Sequence, residues 1–302
     1  MVNHLSLVGK SFGRESLGIF LAATLLVAIG LVDDRFELDA LTKLAGQALA
    51  AGILLIFGIQ VLWLPINGVI TLPPSIGQLV TVVIVLVTIN AVNFIDGLDG
   101  LAAGIVAISG AAFFAFAYLL AVTNGFTRAG APSLMTVILI GLCIGFLPHN
   151  SNPARMFMGD SGSMLLGLIL AASAITLTGQ IDANALSAES IGPALLPLFL
   201  PFAVLAIPLL DLVLAILRRT SSGKSPFAPD KLHLHHRLLA SGNSQNRTAI
   251  VLYLWTATFA IPVTVAAFAP IWIAFLVAML LAAIAFYARK RTLDRNGNLL
   301  NV

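Results

Sequence analysis

The sequence predicts an all-α, polytopic integral membrane protein: a helical bundle of about nine transmembrane helices with polar loops gathered on one face. Of its 302 residues, 59% are hydrophobic and 10% are charged, and the mean hydropathy is +1.01. A soluble domain carries far more charge than this. The apolar residues also come in repeated runs of about 20, the length that crosses the hydrocarbon core as a helix.

Nine such runs are assigned to helices, each bounded by polar or Gly- and Pro-containing loops. The predicted spans are 17–32, 40–58, 76–93, 101–122, 133–148, 163–178, 193–217, 247–265 and 270–288. Helices are expected rather than barrel strands, because the runs are long and do not alternate between polar and apolar residues. The segment 59–75 is Pro-rich and interrupted, so it is expected to form a short surface hairpin around Asn67 and Gly68.

Residues 1–302 are predicted to form a single transmembrane domain, because no internal repeat, low-complexity tract or long linker divides the chain. The first sixteen residues are polar and mixed. They disfavour a cleaved signal peptide and make the first span the expected insertion signal. The one cysteine, Cys143, excludes an internal disulfide and a Cys-rich metal site, and inside an apolar run it is expected to be a buried apolar side chain.

The distribution of charge predicts the orientation in the membrane. If the helices alternate in direction, one face receives the tail after 288 and the loops at 33–39, 94–100, 149–162 and 218–246. Thirteen of the sixteen Lys and Arg residues lie on that face, and the positive-inside rule makes it cytoplasmic. Most of the carboxylates and four of the five histidines lie there too. A functional site is therefore expected at the cytoplasmic surface of a cell membrane.

Polar residues interrupt the third span and the loop after it. A spacing of three residues separates Asn90, Asn93, Asp96 and Asp99, which on a helix would draw a slowly drifting polar stripe. Asp96 and Asp99 could simply cap the helix that begins near Leu101, because carboxylates suit the positive end of a helix and Asp-Gly favours turns. A cap needs one such residue rather than four, which favours a functional interpretation.

Further carboxylates interrupt other parts of the chain. Asp160, in FMGDSGS, could be the N-cap of a helix that begins near Ser163. Asp33 and Asp34 follow the C-terminal end of an apolar helix, where the macrodipole repels negative charge, so they require a cation nearby. Asp211 lies inside a span, which makes it a functional candidate, but we interpret it as structural and paired with a cation of the bundle.

The loop at 218–246 has the opposite sign, with an excess of Lys and Arg and with His233, His235 and His236 in its middle. It could contact anionic lipid headgroups, and its imidazoles could contribute to a zinc site, although no fourth ligand is evident nearby. Clustered cations and imidazoles suit phosphate oxygens better. Together with oxygen ligands from the carboxylate loops, this predicts a Mg²⁺-bridged diphosphate and phosphoryl-group transfer onto a lipid.

Four motifs, in this order, resemble those of the polyprenyl-phosphate N-acetylhexosamine-1-phosphate transferases. They are VDDRFEL, NAVNFIDGLDGLAAG, GFLPHNSNPARMFMGDSGS and SPFAPDKLHLHHRLL, and they extend with their helices over residues 17–247. The HLHH form preceded by SPFAPD resembles the WecA/TagO branch, which uses UDP-N-acetylglucosamine. It is less similar to the MraY branch, which uses UDP-muramoyl-pentapeptide. The likeness is greatest to actinobacterial members.

The resemblance implies transfer of N-acetylglucosamine-1-phosphate from UDP-N-acetylglucosamine to a polyprenyl phosphate, either undecaprenyl or decaprenyl phosphate. UMP is released, and a cell-envelope polysaccharide is initiated. The implied cofactor is Mg²⁺, with Mn²⁺ as an alternative; the lipid bilayer is a partner and nucleic acid is not. A lipid phosphate with a second pKa of about 6 is mostly dianionic at pH 7, so direct displacement is expected rather than an aspartyl-phosphate intermediate.

The resemblance also implies roles for individual residues. Asn93 and Asp160 match the metal ligands, and Asp33 and Asp34 match the catalytic pair that faces the prenyl phosphate, with Asp33 the better candidate for a base. The other matches are substrate contacts: Phe157 stacked on uracil, Asp96 and Asp99 near the nucleotide, Arg219, His233, His235 and His236 on the diphosphate and sugar, and Lys43 and Asn150 as further phosphate or sugar contacts.

One departure from the family pattern concerns the N-terminus. The family usually begins with two more helices and a basic, Gly-containing cytoplasmic loop, so an N-terminally short member is expected, with a homodimer covering exposed helix surface. The alternatives are a phospho-N-acetylmuramoyl-pentapeptide transferase, a paralogue that binds prenyl phosphate without turnover, and an ion-coupled transporter. Transporters place carboxylates near the bilayer midplane on broken helices, whereas these gather in loops at one edge.

Overall fold

The computed structural model describes residues 2–64, 70–123, 130–180, 206–221, 223, 238–239 and 243–297. Within these ranges the chain forms nine helices and one β-hairpin. The helices are α1 (Val2–Phe36), α2 (Ala40–Ile56), α3 (Pro74–Ile95), α4 (Leu101–Thr123), α5 (Gly130–Asn150), α6 (Gly159–Gln180), α7 (Ala206–Ser221), α8 (Gln245–Phe268) and α9 (Ile271–Gly297). The strands β1 (Trp63–Leu64) and β2 (Ile70–Thr71) pair antiparallel.

Each predicted span corresponds to one of these helices, which confirms the all-α membrane class. Seven of the described helices are long and apolar enough to cross a membrane, and α2 is a shorter apolar helix. The protein is therefore a multi-pass membrane protein. The largest difference in bounds is in α1, which begins at Val2 because the polar residues before the apolar run continue the same helix. The predicted segment 193–205 lies outside the described residues.

Local capping chemistry explains where several helices begin. Asp39 precedes α2, and its Oδ1 accepts the backbone N–H groups of Leu41 and Thr42, both at 3.0 Å. The hydroxyl and the N–H of Thr42 lower the pKa of Asp39. Ser244 caps α8 in the same way, and α3 starts with a proline at its first helical position, where no intrahelical N–H bond is lost.

The predicted hairpin is confirmed, but Trp63 of its first strand is buried rather than exposed at the surface. The indole Nε1 of Trp63 donates to the carbonyl of Thr178, at the C-terminal end of α6, over 3.1 Å, and Trp63 is only 3% exposed. The hairpin turn, which contains Asn67 and Gly68, lies outside the described residues. The hairpin therefore covers the end of the bundle where α6 finishes.

The bundle is organised around α6, which contacts α1, α3 and α5. Its apolar segment is 78% buried, against 11% for α9, so α6 is the central helix and α9 a peripheral one. A run of small buried residues, Ala171, Ala172, Ser173 and Ala174, allows this close packing. Cys143 of α5 is buried and free, as predicted. The N-terminal end of α6 is thereby held in the middle of the bundle.

Candidate active site

Loops that are far apart in the sequence converge around the N-terminal end of α6. They are the end of α1, the start of α2, the α3–α4 loop and the loop after α5. The hairpin lies at the C-terminal end of α6, so this site is at the opposite end of the bundle. The hydrogen bonds and ion pairs of the site join residues up to 127 positions apart, and tertiary packing alone brings them together.

Lys43 lies between two carboxylates. Its Nζ is 2.6 Å from Asp33 Oδ2 and 2.9 Å from Asp160 Oδ2. Asp33 is buried, and its Oδ1 accepts the backbone N–H of Leu38 at 2.8 Å. The prediction that Asp33 requires a cation nearby is confirmed, and that cation is Lys43 of the next helix.

For Asp34, the start of a helix takes the place of the predicted cation. Its Oδ1 accepts the backbone N–H of Asp160 at 2.8 Å, and its Oδ2 accepts the hydroxyl of Ser161 at 3.1 Å. These groups lie in the first turn of α6, the positive end of the helix macrodipole. Asp34 therefore caps a helix more than a hundred residues away.

Asp160 is not the N-cap of a helix starting near Ser163, as the alternative reading had it. The helix already begins at Gly159, which places Asp160 in the first turn with its carboxylate turned to Lys43. The predicted start of α6 was wrong because its cap is Asp34, which comes from another helix and cannot be recognised from the local sequence.

Two glycines permit this close approach of α1 to α6. A Cβ on Gly30 would overlap the backbone of Ser161, and a Cβ on Gly159 would lie 2.6 Å from Asp34 Oδ2. Gly159 also has a φ of +65°, which an L side chain rarely adopts. Gly30 and Gly159 are therefore required sterically for Asp34 to reach the start of α6.

A cavity of about 290 Å³ opens beside these groups. Six predicted site residues line it: Asn93, Asp96, Asp99, Asn150, Phe157 and Asp160. The two predicted metal ligands, Asn93 and Asp160, thus lie at the same end of the bundle and line the same space. Asn93 Nδ2 donates to Ser163 Oγ at 2.9 Å, which leaves the amide oxygen as the atom that Asn93 can offer to a cation.

The donor set fits a divalent cation. Asp33, Asp34 and Asp160 each offer a carboxylate oxygen, and these oxygens lie within 4.8 Å of one another. Carboxylate and amide oxygens are the ligands that hard cations prefer. This acidic cluster can therefore hold a metal ion, and Asp160 belongs both to it and to the cavity that Asn93 lines.

Asp96 reports the electrostatics of the cavity. It follows the last residue of α3. Burial raises the pKa of Asp96 to about 7, and the negative charges of Asp160 and Asp34 raise it further in the same direction. Burial is the main cause of this shift, and the part that comes from Asp160 and Asp34 shows negative charge near the cavity, where additional positive charge is favourable.

The predicted polar stripe is wrong as a helical feature, because α3 ends at Ile95. Its members instead have separate partners. Asn90 donates to Gln47 Oε1 of α2 at 2.6 Å. Asp99 lies beyond the helix, and its Oδ2 accepts Asn152 Nδ2 at 2.8 Å, which ties the α3–α4 loop to the loop after α5.

Asn150 and Phe157 both line the cavity, but the side chain of Asn150 is buried and hydrogen-bonded whereas that of Phe157 is exposed. Asn150 is buried, its Oδ1 accepts the N–H of Gly100 at 3.0 Å, and its Nδ2 donates to the carbonyl of Met156 at 2.9 Å. Its amide thus joins the same two loops. The side chain of Phe157 is 78% exposed beside the cavity, which leaves the ring accessible for stacking.

The basic side of the predicted site is only partly described. Arg219 is buried in the last turn of α7, and α7 packs against α3 and α8. His233, His235 and His236 lie outside the described residues, as does the side chain of Asp211. Their predicted roles stay predictions.

Sequence reasoning missed three polar residues of this region: Gln47, Ser161 and Ser163. Ser161 and Ser163 bind Asp34 and Asn93, and the signal that could have found them is the DSGS run itself. Gln47 follows Lys43 by one helical turn, and an amide inside an apolar span is a recognisable signal.

Fold and site together define a multi-pass membrane protein with a polar, cation-compatible site at one end of its bundle. The chain matches the model of glycosyl transferase family 4 over residues 16–178, and it belongs to that family, as its motifs predicted. The chain is 46% identical over 247 residues to a decaprenyl-phosphate N-acetylglucosaminephosphotransferase of Mycobacterium tuberculosis (strain CDC 1551 / Oshkosh), covering 80% of this chain and 61% of the relative.

Two further relatives agree with this assignment. A protein of the same name from Mycolicibacterium smegmatis is 44% identical over 247 residues, again covering 80% of this chain and 61% of the relative. A probable undecaprenyl-phosphate N-acetylglucosaminyl 1-phosphate transferase of Bacillus subtilis is 32% identical over 266 residues, covering 87% of this chain and 69% of the relative. The chain thus spans about 61% of the length of the mycobacterial relatives.

Proposed function

We propose that this protein transfers N-acetylglucosamine-1-phosphate from UDP-N-acetylglucosamine to a polyprenyl phosphate and releases UMP. The observation that carries the proposal is the convergence of Asn93 and Asp160 at one cavity at the end of a membrane bundle, with Lys43 paired to Asp160. The names of the relatives support both the sugar and the prenyl class of acceptor. The excess of Lys and Arg on this face supports a cytoplasmic site, where nucleotide sugars are available.

Charge neutralisation is the main chemical task in such a transfer. Lys43 supplies a fixed cation next to Asp160. Asn93 and Asp160 would hold Mg²⁺, or Mn²⁺ in its place, and the bound ion would neutralise charge on the donor's diphosphate. Arg219 and the histidines at 233, 235 and 236 are proposed to add positive charge to the same diphosphate.

The proposed reaction is a direct displacement. An oxygen of the lipid phosphate attacks the sugar-linked phosphorus, the bond from that phosphorus to the bridging oxygen breaks, and UMP leaves with that oxygen. The oxygens of Asp33 are engaged by Lys43 and Leu38, and those of Asp34 by the start of α6. These contacts hold both carboxylates in fixed positions, which supports positioning roles for both aspartates. The acceptor phosphate, with a second pKa of about 6, needs little general-base help at pH 7.

The nucleotide is proposed to occupy the cavity. Phe157 would stack on the uracil with its exposed ring. Asp96 and Asp99 lie on the α3–α4 loop and would form the wall of the nucleotide site on that side. Asn150 would shape the cavity through its two loop contacts.

The test is a transfer assay with the full chain in lipid nanodiscs. Radiolabelled UDP-N-acetylglucosamine, decaprenyl phosphate and Mg²⁺ should yield an organic-extractable product and equimolar UMP, and EDTA should abolish both. The matched arm uses UDP-N-acetylmuramoyl-pentapeptide as donor. If product forms only from the muramoyl-pentapeptide donor, the proposed identity of the transferred sugar is wrong. If neither donor gives product, the proposed function is overturned.

A second measurement addresses the route. Single-turnover reactions with the lipid acceptor withheld should release no UMP above the background of buffer. A burst of UMP that matches the enzyme concentration would contradict direct displacement and favour an aspartyl-phosphate intermediate.

A further inference from the structure

A second polar layer lies directly beneath the candidate active site, inside the membrane-spanning part of the bundle. We call Lys43, Asn93 and Asp160 the site layer. Gln47, Asn90 and Met164 form the amide layer, and they belong to the same three helices, α2, α3 and α6. Gln47 follows Lys43 by four residues, Asn90 precedes Asn93 by three, and Met164 follows Asp160 by four. On a helix these spacings stack one side chain above the other.

The amide layer is connected by hydrogen bonds between the helices. Asn90 Nδ2 donates to Gln47 Oε1 at 2.6 Å and to the carbonyl of Leu86 at 2.8 Å. Gln47 Nε2 lies 3.5 Å from Asn90 Oδ1 and 3.6 Å from the sulfur of Met164. Gln47 is only 2% exposed. The pair of amides, which we call the amide pair, therefore links α2 to α3 while Gln47 touches α6.

An amide pair between transmembrane helices contributes to their association, and it also fixes how the two helices face each other. Polar side chains inside a bundle are costly unless they are paired, so the two amides must stay opposite each other. The layer above needs three helices held in a fixed rotation. If α2 or α3 rotated, Lys43 or Asn93 would move away from Asp160, since each lies on the same helix face as one member of the amide pair, one turn away.

We propose that Gln47 and Asn90 are positioning residues that set the rotation of α2 and α3, and thereby hold Lys43 and Asn93 against Asp160 in a geometry that binds a divalent cation. The proposal rests on the function proposed above, because it takes Asn93 and Asp160 as the cation's ligands. Outer partners of metal ligands typically change metal affinity by about 10- to 100-fold when they are removed.

The experiment compares Gln47→Met, Asn90→Leu and the double variant. Each single variant breaks the hydrogen bond of the amide pair and leaves the other amide in place, whereas the double variant removes both polar groups and should insert as well as the wild type. Mn²⁺ binding is measured through the EPR signal of the free ion, and melting temperature is measured in the same nanodiscs. Neither readout requires transfer activity.

The single variants should lower the Mn²⁺ affinity about tenfold or more and also lower the melting temperature. The double variant should recover the melting temperature but not the affinity. Recovery of both would overturn the proposal, because the pair would then contribute only to stability. Unchanged Mn²⁺ affinity in the single variants, or absence of Mn²⁺ binding in the wild type, would overturn it as well.

Thr81→Val is the matched control. Thr81 is a buried polar residue on the same helix, α3, but at the hairpin end, where its hydroxyl accepts the N–H of Val61 at 2.9 Å. This variant should lower the melting temperature and leave Mn²⁺ affinity unchanged. If the wild type binds Mn²⁺ and the variants behave as expected while no transfer is detected, the proposed function fails and the positioning role stands.

Discussion

The two ends of the bundle are held together by different kinds of contact. At the hairpin end, side chains donate to main-chain carbonyls: Arg14 binds the carbonyl of Ile56 at 3.0 Å, and Trp63 binds that of Thr178. At the site end, charged side chains bind one another or the open start of a helix, as Lys43 and Asp34 do.

The two kinds of contact indicate different roles for the two ends. At the hairpin end, side chains donate to the free backbone carbonyls at the ends of helices, and these contacts leave little charge to bind a ligand. The carboxylates of the site end are held in place by one lysine and by N–H groups, and Asp160 among them lines a cavity. Substitutions at the site end should therefore change cation binding and catalysis, whereas those at the hairpin end should change stability.

The largest effect is expected for Asp160→Asn. It removes the charge shared by Lys43 and the proposed cation, and transfer to decaprenyl phosphate should fall at least about a hundredfold, because metal stabilisation of such a transition state amounts to several kcal/mol. The matched control is Asp39→Asn. Asp39 is exposed and caps α2, a role that asparagine also fills, so activity should remain near that of the wild type. Equal activity of the two variants would contradict the assignment.

A smaller effect distinguishes the two adjacent aspartates. Asp34→Ala should raise hydrogen exchange in the first turn of α6 about tenfold, because the N–H groups of Asp160 and Ser161 lose their acceptor. Asp33→Ala should instead raise exchange at Leu38, whose N–H it accepts. Mass spectrometry of the corresponding peptides measures both. The division of roles fails if Asp34→Ala leaves α6 protected.

A pH effect of a few-fold is expected from Asp96. Since its pKa lies at about 7, it loses its proton as the pH rises from 6 to 8, and the added negative charge should strengthen Mn²⁺ binding about three- to tenfold by Coulomb attraction. For folding the sign is opposite: the usual value is 3.8, so the stabilisation is complete below about pH 4 and is lost as the pH rises through 7. Asp96→Asn should remove this pH dependence; if the variant keeps it, another group is responsible.

The smallest effect on activity is expected at the hairpin end. Trp63→Phe removes the bond to the Thr178 carbonyl and part of a buried side chain, so the melting temperature should fall by an amount that reflects about 1–3 kcal/mol. Activity per folded protein should stay within about twofold, since the site is at the other end and distant substitutions act independently. A large loss of activity without loss of stability would show that the two ends are coupled.

Much of the fold follows from local sequence. The apolar runs predict the helices because a lipid environment requires long segments with internally satisfied backbone groups. The polar residues before residue 17 did not predict the long α1, since they continue a helix without being apolar. The start of α6 was missed for a different reason, because its cap, Asp34, comes from another helix.

The sequence predicted which residues belong to the site but not which residues they bind. All ten residues that line the cavity lie within two of the motifs, and six of the ten, including Phe157 and Asp160, were predicted as site residues. They did not reveal that Asn150 would be engaged at both ends of its amide, or that Gln47 would pair with Asn90. Gln47 and Asn90 are 43 residues apart, and Asn150 and Gly100 are 50 residues apart, so no local pattern records these pairs.

By itself, the sequence determined that this is a helical membrane protein of glycosyl transferase family 4 with acidic loops on one face, because hydropathy and motif order are properties of the chain. Only the tertiary structure decided that Asp33 pairs with Lys43 while Asp34 caps α6. Successive residues of a helix point about 100° apart, with 3.6 residues per turn. Two adjacent aspartates must therefore face different neighbours, and helix packing determines which.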